Sequence, residues 1–64
     1  MLTNSRDILD RLRREGFEPV SVRGSHHKLH HPVLRKVVIV PHPRRDIPIG
    51  TARSIYRQAG WRPD

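Results

Sequence analysis

The residues best equipped for chemistry in this 64-residue chain stand together at Gly24-Ser25-His26-His27. Histidine is the only side chain whose unperturbed pKa, about 6.5, lies near neutrality. The chain has no cysteine and only six Asp and Glu residues, so proton transfer at pH 7 falls most readily to an imidazole. Gly24-Ser25 is a tight-turn dipeptide, and the two histidines open an extended run reaching His31. Period-two alternation then puts His27 and His31 on the face of Leu29, and His26, Lys28 and His30 on the other. His27 belongs against the core or at its rim, and His26 points to solvent beside a cation. The arrangement suits presenting an imidazole to a negatively charged ligand.

Five histidines also raise the possibility of a metal site, which the spacing argues against. His26 and His30 on one strand start roughly 13 Å apart, too far to share a Zn²⁺ whose Zn–N bonds are about 2.0–2.1 Å. Lys28 between them would repel the ion. No metal and no cofactor is expected. His31, before Pro32, reads as a turn residue, and His42, between two prolines, as structural.

Thirteen Lys and Arg against six Asp and Glu give a formal charge of +7. That excess points to a polyanion, either nucleic acid or an acidic protein. The absence of cysteine excludes disulfides and thiolate metal sites and fits a reducing cytoplasm. No apolar run has the length of a membrane span. The length sets one domain, residues 1–64, with a small core.

The elements that must position the histidines follow from pattern. Residues 4–15 read as a helix, capped by Asn4 or Ser5, with Asp7 in its first turn and Ile8, Leu9 and Leu12 on one face. Gly16 ends it, and Phe17 packs back. Val20 and Val22 alternate with Ser21 and Arg23, which predicts a half-buried strand with Pro19 at an edge. After the strand from His26 to His31 and a turn at residues 32–35, residues 36–40 form a third strand. Its unbroken run Val37-Val38-Ile39-Val40 predicts a central strand or one covered on both faces at one end. Residues 44–49 are a charged, proline-containing loop. A second helix starts at Gly50 or Thr51 and runs to Ala59, burying Ala52, Ile55, Tyr56 and Ala59; Gly60 ends it and Trp61 folds back. The order is helix, three antiparallel strands, helix, an α+β domain with both helices on one sheet face.

Taken in order, several of these pieces resemble the HicA toxin family, the mRNA interferases of HicAB toxin–antitoxin pairs. They are Arg14-Glu15-Gly16-Phe17; Gly24-Ser25-His26-His27-Lys28-Leu29-His30-His31-Pro32; Val40-Pro41-His42-Pro43; and residues 49–60, together nearly the whole chain. The resemblance implies a fold similar to a double-stranded-RNA-binding domain. It also implies RNA cleavage by a histidine just after the Gly-Ser turn, and control by a HicB-like antitoxin. Two histidines occupy that position here. A catalytic group must reach the scissile phosphodiester, which favours the exposed His26 and leaves His27 as the alternative, depending on strand register.

These residue types suit metal-independent cleavage, in which the 2′-hydroxyl attacks its own phosphate. A well-placed imidazole contributes about 10²–10⁴-fold. Lys28 and Arg23 can stabilise the developing charge, and His30 or His42 can be the second acid–base group. Ser25 at the turn, His30, Arg44 and Arg45 in the loop, and Arg53 and Arg57 one turn apart on the second helix are the candidate RNA contacts. The same basic surface would equally receive an acidic antitoxin. Two other readings fit the composition: a non-catalytic RNA-binding module of this fold, or a basic accessory subunit that binds only protein.

Overall fold

A computed structural model describes residues 1–63. The element order is α1 (Ser5–Arg14), β1 (Glu18–Arg23), β2 (His26–His31), β3 (Lys36–Pro41) and α2 (Ile49–Ala59). The strands form one antiparallel sheet in the order β1-β2-β3, and both helices pack on one face of it. This is the α+β arrangement that the pattern predicted, and it agrees with the double-stranded-RNA-binding-domain-like fold that the resemblance implied.

The helix ends follow local chemistry. Asn4 caps α1, its side chain accepting from the Arg6 amide at 3.0 Å. Ser5 is the first helical residue and is buried, a position its polarity alone would not suggest. Gly16 takes φ +98°, and a Cβ there would press on the His31 ring, 2.8 Å from its Nε2. Only glycine meets both demands. The second helix begins at Ile49, slightly earlier than expected, and ends at the left-handed Gly60. Trp61 then turns back: its amide donates to the Tyr56 carbonyl at 2.8 Å, and its Nε1 donates to Glu15 at 2.7 Å. The Arg11 guanidinium lies 4.0 Å from the indole centroid. Burial alone would raise the Glu15 carboxyl, but the hydrogen bonds from Trp61 and Arg11, with the charges of Arg11 and Arg14, outweigh it and hold Glu15 below its usual value.

The core joins Ile8, Leu9 and Leu12 of α1, Phe17, Leu29 of β2, Val38 and Val40 of β3, and Ala52, Ile55, Tyr56 and Ala59 of α2. Ile47 also belongs to it, although it lies in the segment that reads as a charged loop. Its amide donates to the Thr3 carbonyl at 2.7 Å, which pins that segment beside the N-terminus.

Two strand expectations are corrected. The first strand is not half-buried: all six of its residues are exposed, Val20 at 60% and Val22 at 57%. The helices cover β3 and β2 and leave β1 overhanging, and the pairing register shifts between Pro19 and Ser21, which makes Val20 a bulge. The third strand is neither central nor covered on both faces. It is an edge strand with Val38 and Val40 buried and Val37 and Ile39 turned to solvent. The central strand is the histidine-bearing β2, with Leu29 as its single buried residue. The free edge of β3 is partly closed by α2, where Gln58 Oε1 accepts from the Ile39 amide at 3.0 Å.

Candidate active site

The Gly24-Ser25 turn joins β1 to β2 with Gly24 at φ +56° and no atom within 4 Å of where a Cβ would lie. A glycine with positive φ at the first turn position matches the hairpin twist. Pairing across the hairpin sets Arg23 opposite His26 and Ser21 opposite Lys28; on the other side His26 faces Pro41 and Lys28 faces Ile39. These side chains share the open face of the sheet. Ser21, Arg23, His26, Lys28 and Ile39 line a shallow groove of about 470 Å³. Three of the five carry or can carry positive charge and none is acidic. His30 follows on the same face, opposite Glu18 and Val37.

The parity of the strand is as expected: His26 is exposed, while His27 turns to the helix side and is half-buried. What the sequence reading missed is the company His27 keeps. His42 continues β3 past Pro41 with the parity of Val38 and Val40, which aims it at the same side. Its amide donates to the Ser25 carbonyl at 2.7 Å. The two imidazoles meet at right angles, centroids 4.9 Å apart. The diagonal reach of aromatic side chains across a strand pair allows this contact. It could have been inferred from the sequence had the β2–β3 register been known.

His42 is held in turn by α1. Its Nδ1 lies 2.7 Å from Ser5 Oγ, and Ser5 Oγ accepts from the Arg44 amide at 2.8 Å. Burial lowers the pKa of His42, and the positive charges of His27, Arg13 and Arg6 lower it further. Asn4, Ser5, Arg6, His42, Pro43, Arg44 and Arg45 line a pocket of about 230 Å³ at this end of the sheet. The sequence named Arg44 and Arg45 as candidates; Arg6 and Ser5 join them only through the fold.

The remaining candidates lie elsewhere. Arg53 and Arg57 flank a separate apolar hollow with Tyr56, Trp61 and Pro63, to which no histidine contributes. His31 has a structural place. Its Nδ1 accepts from the Val33 and Leu34 amides at 3.2 and 3.1 Å, its Nε2 donates to the Glu15 carbonyl at 2.9 Å, and its ring packs edge-on to Phe17. Among the described residues no three His, Asp or Glu side chains converge as a metal would need. No helix among them is long and apolar enough to cross a membrane.

The site is thus two surfaces that meet at one hairpin. An electropositive groove lies on the open face, and a fixed imidazole pair with arginines around it lies on the helix side. No curated protein matches this chain. The family model described as the HicA toxin of bacterial toxin–antitoxin systems matches residues 5–61, nearly the whole chain. The chain belongs to the HicA toxin family.

Proposed function

We propose that this toxin is a metal-independent endoribonuclease acting on mRNA, with His27 as its acid–base residue. The observation that carries the reading is the perpendicular packing of His27 against a His42 ring that Ser5 holds. Acid–base catalysis needs an imidazole in a defined place as much as an accessible one. The ring of His27 is held, whereas His26 is an exposed side chain on the groove wall. The overhang of β1 keeps the helix side open next to His27, since Val22, its partner across the hairpin, is itself solvent-exposed.

In this reading the RNA backbone passes round the narrow tip of the hairpin. The scissile phosphate lies at His27, and Arg6, Arg13 and Arg44 supply positive potential around it. Flanking phosphates rest in the open groove on Arg23, His26 and Lys28, with the Ser21 hydroxyl beside them and Ser25 at the turn as a further contact. His27 removes the proton of the 2′-hydroxyl, whose oxygen attacks the adjacent phosphorus. The P–O5′ bond breaks, the 5′-oxygen takes a proton from solvent water, and the product ends in a 2′,3′-cyclic phosphate. A second reading makes His26 the catalyst, on the observation that it stands in the groove between Arg23 and Lys28. The experiment is incubation of the purified toxin with RNA in excess EDTA, followed by analysis of the new ends. Cleavage leaving cyclic phosphates is the expected result. RNA binding without cleavage would identify a binding module instead, and neither activity would identify a subunit that binds only protein.

As a member of a toxin–antitoxin family, the chain has an antitoxin counterpart. We assign it the open face, where exposed Val37 and Ile39 adjoin Arg23, His26 and Lys28. Apolar area beside a row of basic side chains fits an acidic, HicB-like protein. Such a partner displaces the flanking phosphates and stops cleavage. With the antitoxin at a hundredfold excess over its dissociation constant, the toxin should gain about 2.7 kcal/mol of stability. Titration of cleavage alongside a melting curve checks both effects. A partner that raises the melting temperature but leaves cleavage untouched would place its binding elsewhere.

A further inference from the structure

The Ser5 hydroxyl has two hydrogen-bond partners, and the direction of one of them is fixed. Its oxygen accepts from the Arg44 amide at 2.8 Å, so its own proton must go to another group. Ser5 is 1% exposed, which excludes water as the general solution. The acceptor at hand is His42 Nδ1, 2.7 Å away. The proton of a neutral His42 must then sit on Nε2, the nitrogen on the far side of the ring from Ser5. A second proton on Nδ1 would collide with the serine donor and would force the buried hydroxyl to turn away from its acceptor.

We propose that Ser5 locks His42 as its Nε2–H tautomer, making His42 a positioning residue that fixes the ring of His27. The inference rests on the ribonuclease reading for its catalytic sense and on the hydrogen bonds alone for the lock. The charged or titratable groups facing His42 are His27 from β2, Arg6 and Arg13 from α1, and Arg44 and Arg45 from its own loop, all cationic or able to become so. A charged His42 would oppose protonation of His27 a ring's width away. Kept neutral, it lets His27 take up and release a proton through the reaction without a competing charge. Ser5 and His42 are 37 positions apart. They meet because α1 lays its first turn on the end of β3, and the Ser5 amide donates to the Arg44 carbonyl at 2.8 Å.

Burial and the neighbouring positive charges give His42 a linkage consequence. The pKa of His42 is below its ordinary value, so the unfolded chain binds this proton more readily than the folded one. The resulting stability is fully present above about pH 6.5 and is lost as the pH falls through the folded-state value.

The test combines imidazole ¹H–¹⁵N correlation spectra with single-turnover RNA cleavage between pH 5 and 9, for the wild type, Ser5→Ala and His42→Gln. In the wild type, His42 should show the Nε2–H pattern at pH 7. In Ser5→Ala the His42 ring should lose its single tautomer and show a mixture of the Nδ1–H and Nε2–H patterns, with a changed pH–rate profile. His42→Gln should retain the fold, because the ring is half-exposed, and cut RNA at least tenfold more slowly at pH 7. A His42 found as Nδ1–H or charged at pH 7 overturns the lock. A His42→Gln variant with the wild-type rate and profile overturns the positioning role. A wild type with the Nε2–H pattern that cuts no RNA overturns the ribonuclease reading and leaves the lock standing.

Discussion

His27→Ala is expected to lower the single-turnover cleavage rate by about 10²–10⁴-fold, the usual worth of a positioned acid–base group. The melting curve should move little. The ring is half-buried, and its contact with His42 is a pair of the kind worth about 0.5–1.5 kcal/mol. His26→Ala should act differently. It removes an exposed, titratable contact from the groove beside Arg23 and Lys28, so RNA binding should weaken, and become less salt-sensitive only where His26 is charged. The rate at saturating enzyme should fall much less than in His27→Ala. The two substitutions sit at consecutive positions on opposite faces of one strand, so the pair of measurements decides which face carries the chemistry. Loss of cleavage in His26→Ala with survival in His27→Ala would move the reacting phosphate into the open groove.

Leu29→Ala is expected to cost the most stability for its size. Leu29 is the one residue through which β2 enters the core, packing with Val38 beside it and the helices above. Truncation of a buried leucine costs about 2–5 kcal/mol. A 64-residue domain has on the order of 3–10 kcal/mol in total. Each kcal/mol moves the melting temperature of a domain this small by about 4–8 °C, so the shift should be about 8 °C or more. Cleavage should fall with it, since the same strand carries His26 and His27. Val22→Ala, on the overhanging β1, removes apolar atoms that are 57% exposed and should change stability by less than about 0.5 kcal/mol. Urea melts of the two variants check the contrast. A Leu29→Ala loss under about 1 kcal/mol would mean that β2 is not anchored as described.

What was legible in the sequence was what depends on neighbours along the chain. Asn4, Gly16 and Gly60 mark the helix ends through local hydrogen bonding and positive φ, and the alternation around Leu29 sorted His26 from His27 by face. What was not legible depends on which strand lies under which helix. Val20 and Val22 alternate like core residues, yet the helices stop short of β1 and leave them in water. The run from Val37 to Val40 has the composition of a doubly covered strand, but β3 is an edge whose outer face stays open. Ile47, fully enclosed within a charged loop, gives no periodic signal at all. The site divides in the same way. The Gly24-Ser25 turn and its histidines announce themselves by type and spacing. The Ser5–His42–His27 chain needs a helix N-terminus, a strand end and a strand start to converge, and their residues are scattered from 5 to 42.

The most direct test of RNA cleavage through the substrate's own hydroxyl is a comparison of two oligonucleotides. One is an all-RNA strand containing the preferred cut site, and the other is identical except for a single 2′-deoxy sugar on the 5′ side of the cut. Both are incubated with the purified toxin in excess EDTA. The account predicts that the RNA is cut to a 2′,3′-cyclic phosphate end and that the substituted strand is left intact at that position. Cleavage of the 2′-deoxy strand at the same site, or a strict requirement for a divalent ion, would contradict it.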